Sequence, residues 1–173
     1  MLKRDRRDKM TGLLDPWRPA EDYYRKPEFH PEDDVPWLAT PLPLDTVFIR
    51  LDIASMRRFN DAHGMKAGDA VIVATAAALA KAAAPWPVFY GGADEFLVAA
   101  RLRGAREARA FAEMLRSAVV AGSGPKMWAG AAMADPGDDA GLLYRTAGDA
   151  LMSAQRDGAR GVNLVEPDRE ERL

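Results

Sequence analysis

The order of strand-like and helix-like patterns after Leu44 limits the possible folds of this chain more than any other feature. A β-branched, apolar run opens the series, and a glycine-bearing turn over Gly91–Asp94 makes one tight hairpin in its middle. The β-α-α-β-β-α-β-α-β order predicts an α+β domain with a mixed sheet of about five strands and helices packed against it. The expected elements are Thr46–Ile53, Ser55–His63, Gly68–Ala84, Val88–Tyr90, Glu95–Arg101, Ala105–Ala121, Lys126–Ala134, Gly141–Arg156 and Val162–Val165.

The chain before Leu44 has a different character, because residues 15–43 hold seven prolines. Proline removes a backbone donor and breaks helices and sheet ladders, so this part is expected to be an irregular segment. Its aromatic side chains predict that it wraps onto the domain surface and is not a free linker. We therefore divide the chain into an N-terminal helix (1–14), a proline-rich wrapping segment (15–43), the core (44–166) and a frayed tail (167–173).

Composition excludes several classes of protein. The chain has no cysteine and two histidines, which rules out a disulfide framework and a zinc-finger cluster. The net charge of −2 gives no chain-wide attraction to nucleic acid, so no DNA partner is expected. The N-terminus is charged and the longest apolar run, Ala70–Ala80, is too short to span a bilayer, which predicts a soluble cytoplasmic protein with no membrane span.

Acidic residues at two places suggest chemistry. Asp52 lies in or at the end of the first core strand, and Asp94 and Glu95 lie at the hairpin turn. If the two strands are neighbours these carboxylates converge, and without thiol or imidazole they favour an oxygen-liking cation such as Mg²⁺ or Mn²⁺. A strand-end cap or an ion pair explains Asp52 equally well, and Gly91 and Gly92 suit either a close ligand or any hairpin.

A longer combination of motifs narrows the choice. The turn reads Gly91-Gly92-Ala93-Asp94-Glu95-Phe96, and Asp52 is followed by Phe59-Asn60-Asp61, Gly64 and Gly68-Asp69. Upstream stands Asp8-Lys9-Met10-Thr11-Gly12-Leu13. Together these segments resemble the GGDEF family of diguanylate cyclases over nearly the whole chain. The resemblance implies a ferredoxin-like or nucleotide-cyclase palm fold.

The resemblance also implies a reaction, in which two GTP molecules condense to cyclic di-GMP with a divalent metal, Mg²⁺ or Mn²⁺. Each domain would hold one GTP, which implies a homodimer, at least a transient one. An asparagine amide both donates and accepts hydrogen bonds, and a carboxylate accepts from the N1–H and N2–H₂ groups of guanine. Together they suit guanine better than they suit adenine. The residues carried over are metal ligands Asp52, Asp94 and Glu95, catalytic residues Asp94 and Glu95, nucleotide-binding residues Asn60, Asp69 and Arg57, and Gly91 and Gly92 near the phosphates.

The chain departs from the family pattern at two places. Ala93 is either inserted into the signature or replaces its second glycine. Gln155 and Ala159 stand where the family has a triphosphate-holding lysine and arginine, and the loss of two charge-assisted hydrogen bonds would weaken binding by on the order of a hundredfold. Arg156 or Arg160 could substitute for them. These departures keep open a domain that binds nucleotide, or a protein partner through the proline-rich segment, without turnover, and a cyclase that makes another cyclic nucleotide.

Overall fold

The strand predicted over Thr46–Ile53 lies at the centre of a five-stranded sheet in the computed structural model, which describes residues 6–19, 26–121, 124–158 and 161–167. The strand order is β4-β5-β3-β6-β7, and the β6–β7 pair is parallel while the others are antiparallel. The elements are β1 (Trp17–Arg18), β2 (Glu28–Phe29), β3 (Thr46–Ile53), α1 (Met56–His63), α2 (Met65–Ala83), β4 (Val88–Gly92), β5 (Glu95–Arg101), α3 (Ala105–Ala121), β6 (Met127–Met133), α4 (Ala140–Asp157) and β7 (Val162–Val165). The predicted fold class and core order are confirmed.

The two faces of β3 belong to different halves of the core. Val47, Ile49, Leu51 and Ile53 are buried in a cluster with residues of α2 and α3, whereas Phe48 is buried in a second cluster with residues of α4. Successive side chains of a strand point to opposite faces, so Arg50 and Asp52 share the face of Phe48. This alternation directs two charged side chains of the central strand toward α4.

Helix α2 begins three residues earlier than the predicted Gly68, at Met65. The separation from α1 falls at Gly64, whose φ of +86° is a conformation that other residues rarely adopt. The Gly64 N–H donates to the Asn60 carbonyl at 2.7 Å and closes α1. The two helices therefore follow each other directly, and Gly68 lies inside the second one.

The N-terminal helix predicted over residues 1–14 is wrong for the part that is described, residues 6–14, which contains no helix. The Asp8 side chain accepts the N–H groups of Met10 (3.1 Å) and Thr11 (2.7 Å), and this local bonding competes with a helix. The chain then turns back, and Leu14 pairs with the outer edge of β4: its N–H donates to Val88 and its carbonyl accepts from Tyr90. Residues 1–5 lie outside the described residues.

The described parts of the proline-rich segment pack on the α4 side of the sheet. Val35, Leu38 and Leu42 are buried there, and Phe29 stacks on Tyr144 with ring centroids 4.4 Å apart. Tyr23 and Tyr24, which were expected to help anchor the segment, lie outside the described residues, as does the tail after residue 167. Among the helices of the described ranges, none combines the length and the hydropathy needed to cross a membrane.

Candidate functional site

A cavity of about 390 Å³ opens where α1, α2 and the β4–β5 hairpin meet. Asn60, Asp69, Arg57 and Asp94, four residues predicted from the sequence to bind nucleotide or metal, line this one cavity. Hereafter we call it the base cavity. Tyr90 also lines it, and burial raises the pKa of the Tyr90 hydroxyl, with further contributions from nearby carboxylates that include Asp69 and Asp94. The carboxylate acceptors Asp69 and Asp94 therefore lie near the Tyr90 hydroxyl.

The position of Asn60 depends on a glycine in the next helix. A Cβ at Gly68 would collide with the Asn60 side-chain amide, so α2 passes close to this amide only because residue 68 has no side chain. Asn60 Oδ1 is buried and has no hydrogen-bond partner among the described residues. A buried polar atom without a partner costs stability, which is typical of a group that is satisfied by a ligand.

Asp94 lines the base cavity, and Asp52, on the α4 face of β3, lies close enough to Asp94 for their negative charges to interact. The Ile53 N–H donates to the Asp94 carbonyl at 3.1 Å, which holds the hairpin turn against the end of β3. Burial, and then the negative charges of Asp94 and Glu95, raise the pKa of Asp52 to about 7. Burial also raises the pKa of Asp94. The predicted convergence of the two strands is thus observed, and it brings anions together.

Asp52 and Asp94 form a donor set that suits Mg²⁺ or Mn²⁺. The described residues contain no group of three or more His, Cys, Asp or Glu side chains that could hold a metal ion. Magnesium is usually bound through one or two carboxylates, with waters and substrate phosphates completing its shell. Two half-buried carboxylates that repel each other fit that description, because a cation between them would relieve the repulsion.

Glu95 faces Arg50, a residue that the sequence analysis did not single out. Register places Glu95 opposite Asp52, and Glu95 Oε2 accepts a hydrogen bond from Arg50 Nη2 at 2.5 Å. The Arg50 guanidinium lies over the Tyr144 ring, 4.0 Å from its centroid, and a Cβ at Gly148 would collide with it. A charged residue two positions before Asp52 in an apolar strand must share its face, and this was the signal available in the sequence.

A second cavity, of about 450 Å³, lies on the α4 side of these acids, and we call it the polar cavity. Arg50, Glu95 and Gln155 line it, together with Arg145 and Asp149. The side-chain amide of Gln155 lies near Asp52 and acts against the rise in the Asp52 pKa. The base cavity is thus lined by candidate base contacts, and the polar cavity by two arginines, two carboxylates and an amide.

Comparison with known proteins agrees with this arrangement. A family model described as "Diguanylate cyclase, GGDEF domain" matches residues 42–161, more than half of the chain. The chain belongs to the GGDEF domain family. No curated protein sequence matches it.

Solved structures of GGDEF domains share the fold. The GGDEF domain of DgcB from Caulobacter crescentus, in complex with c-di-GMP, is 23% identical, with 92% of this chain and 95% of that one covered and a TM-score of 0.70. The S helix-GGDEF-EAL structure of LapD from Vibrio cholerae is 16% identical, with 99% and 39% covered and a TM-score of 0.74. A microbial GGDEF domain studied with cyclic di-GMP is 27% identical, with 92% and 99% covered and a TM-score of 0.68.

The signature hairpin of this GGDEF domain contains a β-bulge. β4 carries a bulge between Tyr90 and Gly92, which leaves Gly91 outside the register. Gly92 has a φ of +97° and Ala93 a φ of +51°, a left-handed conformation that is uncommon for alanine. The Tyr90 hydroxyl donates to the Ala93 carbonyl at 2.6 Å. Ala93 thus forms part of the turn itself and lines the base cavity.

Arg156 and Arg160 were also predicted to contact phosphates. The first lies apart from both cavities, and the second lies outside the described residues. Arg156 is exposed in the last turn of α4 and lines neither the base cavity nor the polar cavity. Arg160 and Ala159 lie outside the described residues. Among the described residues that line the polar cavity, the cations are Arg50 and Arg145.

Proposed function

We propose that this GGDEF domain binds GTP together with Mg²⁺ or Mn²⁺ and condenses two GTP molecules to cyclic di-GMP. The observation that carries the proposal is that Asn60, Asp69 and Asp94 line one cavity, while Asp52 lies close enough to Asp94 for their charges to interact. The Asp69 carboxylate accepts from the N1–H and N2–H₂ donors of guanine, and the Asn60 amide supplies both a donor and an acceptor. Adenine lacks this donor pair, so the cavity selects guanine.

Asp52 and Asp94 would hold the divalent ion, which when bound neutralises and polarises the phosphate oxygens. Glu95 contributes through its ion pair with Arg50. The 3′-hydroxyl of one GTP loses its proton to solvent as its oxygen attacks the α-phosphorus of the other. The bond from that phosphorus to the α,β-bridging oxygen breaks, and pyrophosphate leaves. Two such steps close the ring and release two pyrophosphates. Because each domain holds one GTP, turnover requires two domains that face each other as a homodimer.

The test is turnover of GTP with Mg²⁺ or Mn²⁺, followed by chromatography of the nucleotide product and assay of pyrophosphate. Asp94→Asn keeps the side-chain shape and removes the charge, and it should abolish product. Asp45→Asn is the matched control, since Asp45 pairs with Arg101 at the other end of the β3–β5 pair. Product that persists in Asp94→Asn would disprove the assigned site. Mass analysis with mixed nucleotides identifies any other cyclic product.

A second candidate function is nucleotide binding without turnover, as a regulator. It is favoured by Gln155, which stands at the position of the family's lysine, and by the ion pair that occupies Glu95. Calorimetric titration separates the two candidates. GTP binding with no product supports the regulator, whereas absence of any GTP binding supports a module that interacts with a protein through the proline-rich segment.

A further inference from the structure

The positions of the two cavities suggest where a bound nucleotide would run. This inference rests on the proposed function. Asp94 lines the base cavity, and Glu95, the next residue, lines the polar cavity. Asp52 is opposite Glu95 in register, and Gln155 of the polar cavity is near enough to lower its pKa. A guanine in the base cavity, with its phosphates at an ion held by Asp52 and Asp94, would therefore direct the end of its triphosphate toward the polar cavity.

The polar cavity offers a preorganised cation at that point. The Arg50 side chain is only 15% exposed, so its charge is screened by solvent less than that of a surface residue. Glu95 and the face of Tyr144 hold the guanidinium, and Gly148, which has no side chain, leaves the space that it occupies. Arg145, by contrast, is exposed on α4 one helical turn from Asp149.

Arg50 also retains unused hydrogen-bonding capacity. A guanidinium has five N–H donors. In this chain Nη2 donates to Glu95, Nη1 makes a long contact of 3.4 Å with the Tyr144 carbonyl, and Nε is buried without a partner among the described residues. A guanidinium fork with free donors is well suited to phosphate oxygens.

We propose that Arg50 is the residue that binds the triphosphate of GTP in this domain, from the sheet side of the polar cavity, in place of a cation at position 155. In this arrangement Glu95 and Tyr144 are positioning residues, because they hold the guanidinium and do not contact the nucleotide. The domain thus binds the phosphates of GTP through Arg50, a residue of the central strand β3.

The test compares two ligands on the full chain: guanosine, and a GTP analogue with a methylene group between its α- and β-phosphates, each titrated with Mg²⁺ present. Arg50→Gln should weaken binding of the analogue by about 10- to 30-fold and leave guanosine binding within twofold. Arg101→Gln is the matched control, because Arg101, like Arg50, is an arginine of the sheet that pairs with a carboxylate, in this case that of Asp45. It should change neither affinity.

Two further variants keep the test decisive if Arg50→Gln folds poorly. Arg50→Lys keeps the charge and loses the fork, so it should give an intermediate affinity for the analogue. Arg50→Gln combined with Gln155→Lys restores a cation from the opposite wall and should recover most of the loss. Unchanged analogue binding in Arg50→Gln, or an equal loss of affinity for guanosine and for the analogue, would overturn the proposed role of Arg50. Neither result would bear on the proposed function. A wild-type chain that binds neither ligand would overturn the proposed function itself.

Discussion

The base cavity is lined by Asp94 and the polar cavity by Glu95, the next residue, and the two cavities are built in different ways. The helical wall of the base cavity uses residues near one another in the chain, with Asn60 and Asp69 positioned by two consecutive helices around Gly64 and Gly68. The polar cavity joins β3 to α4 through Arg50 and Gly148, which are distant in sequence. Motifs therefore identify the first side, whereas only the tertiary structure reveals the second.

The largest effect is expected on the base side. Asp69→Asn replaces one of the two acceptor oxygens of the carboxylate by an NH₂ group, which would face a donor of guanine. GTP binding should therefore weaken by about 100-fold. Affinity for ATP should change little, because adenine lacks the donor pair. Calorimetry with both nucleotides checks this. An equal loss for GTP and ATP would show that Asp69 does not contact the base and would break the division between the two sides.

A cation added on the phosphate side should have an intermediate effect. Gln155→Lys places an ammonium group beside Asp52 and the polar cavity, and one charge-assisted hydrogen bond should tighten binding of the GTP analogue about tenfold. Guanosine binding should not change. Met114→Lys adds the same charge at an exposed position on α3 and controls for net charge. If both variants raise the affinity equally, long-range charge and not the polar cavity is responsible.

The raised pKa of Asp52 should make the free energy of unfolding depend on pH. The pKa of Asp52 is raised to about 7, so the folded state retains a proton that the unfolded chain loses near pH 4. Stability should therefore fall as pH rises from 4 to about 7, by on the order of 1 kcal/mol once solvent screening of this half-buried group is allowed for. Urea unfolding of Asp52→Asn should show a flatter pH profile than Asp45→Asn. Identical slopes would contradict the assignment.

The smallest effect is expected at the hairpin. Ala93→Gly removes the cost of a left-handed alanine and adds chain entropy to the unfolded state, for a net gain of about 0.5 kcal/mol in the free energy of unfolding. Ala77→Gly, at an exposed position inside α2, should instead destabilise by about 1 kcal/mol. Thermal unfolding measures both. A loss of stability in Ala93→Gly would mean that the alanine makes contacts that compensate its backbone strain.

The sequence predicted the core well because local signals delimit its elements. Gly64 separates α1 from α2, prolines follow α2, and β5, α3 and β7 have the bounds that periodicity indicated. It failed at residues 6–14, where charge alternation suggested a helix but the Asp8 side chain satisfies the backbone locally. Strand alternation places Arg50 on the face of Asp52, but its contacts could not be predicted, because its partner Tyr144 lies 94 residues further along the chain.

The pairing of Leu14 with β4 has a practical consequence for anyone who works with this domain. β4 is an edge strand, and the backbone groups of Val88 and Tyr90 that face outward are occupied by Leu14. A chain trimmed to the 42–161 span of the family match would leave those groups bare. Bare strand edges recruit strands from other molecules, so such a fragment should aggregate, and a useful truncation must keep the stretch from Arg6 onward.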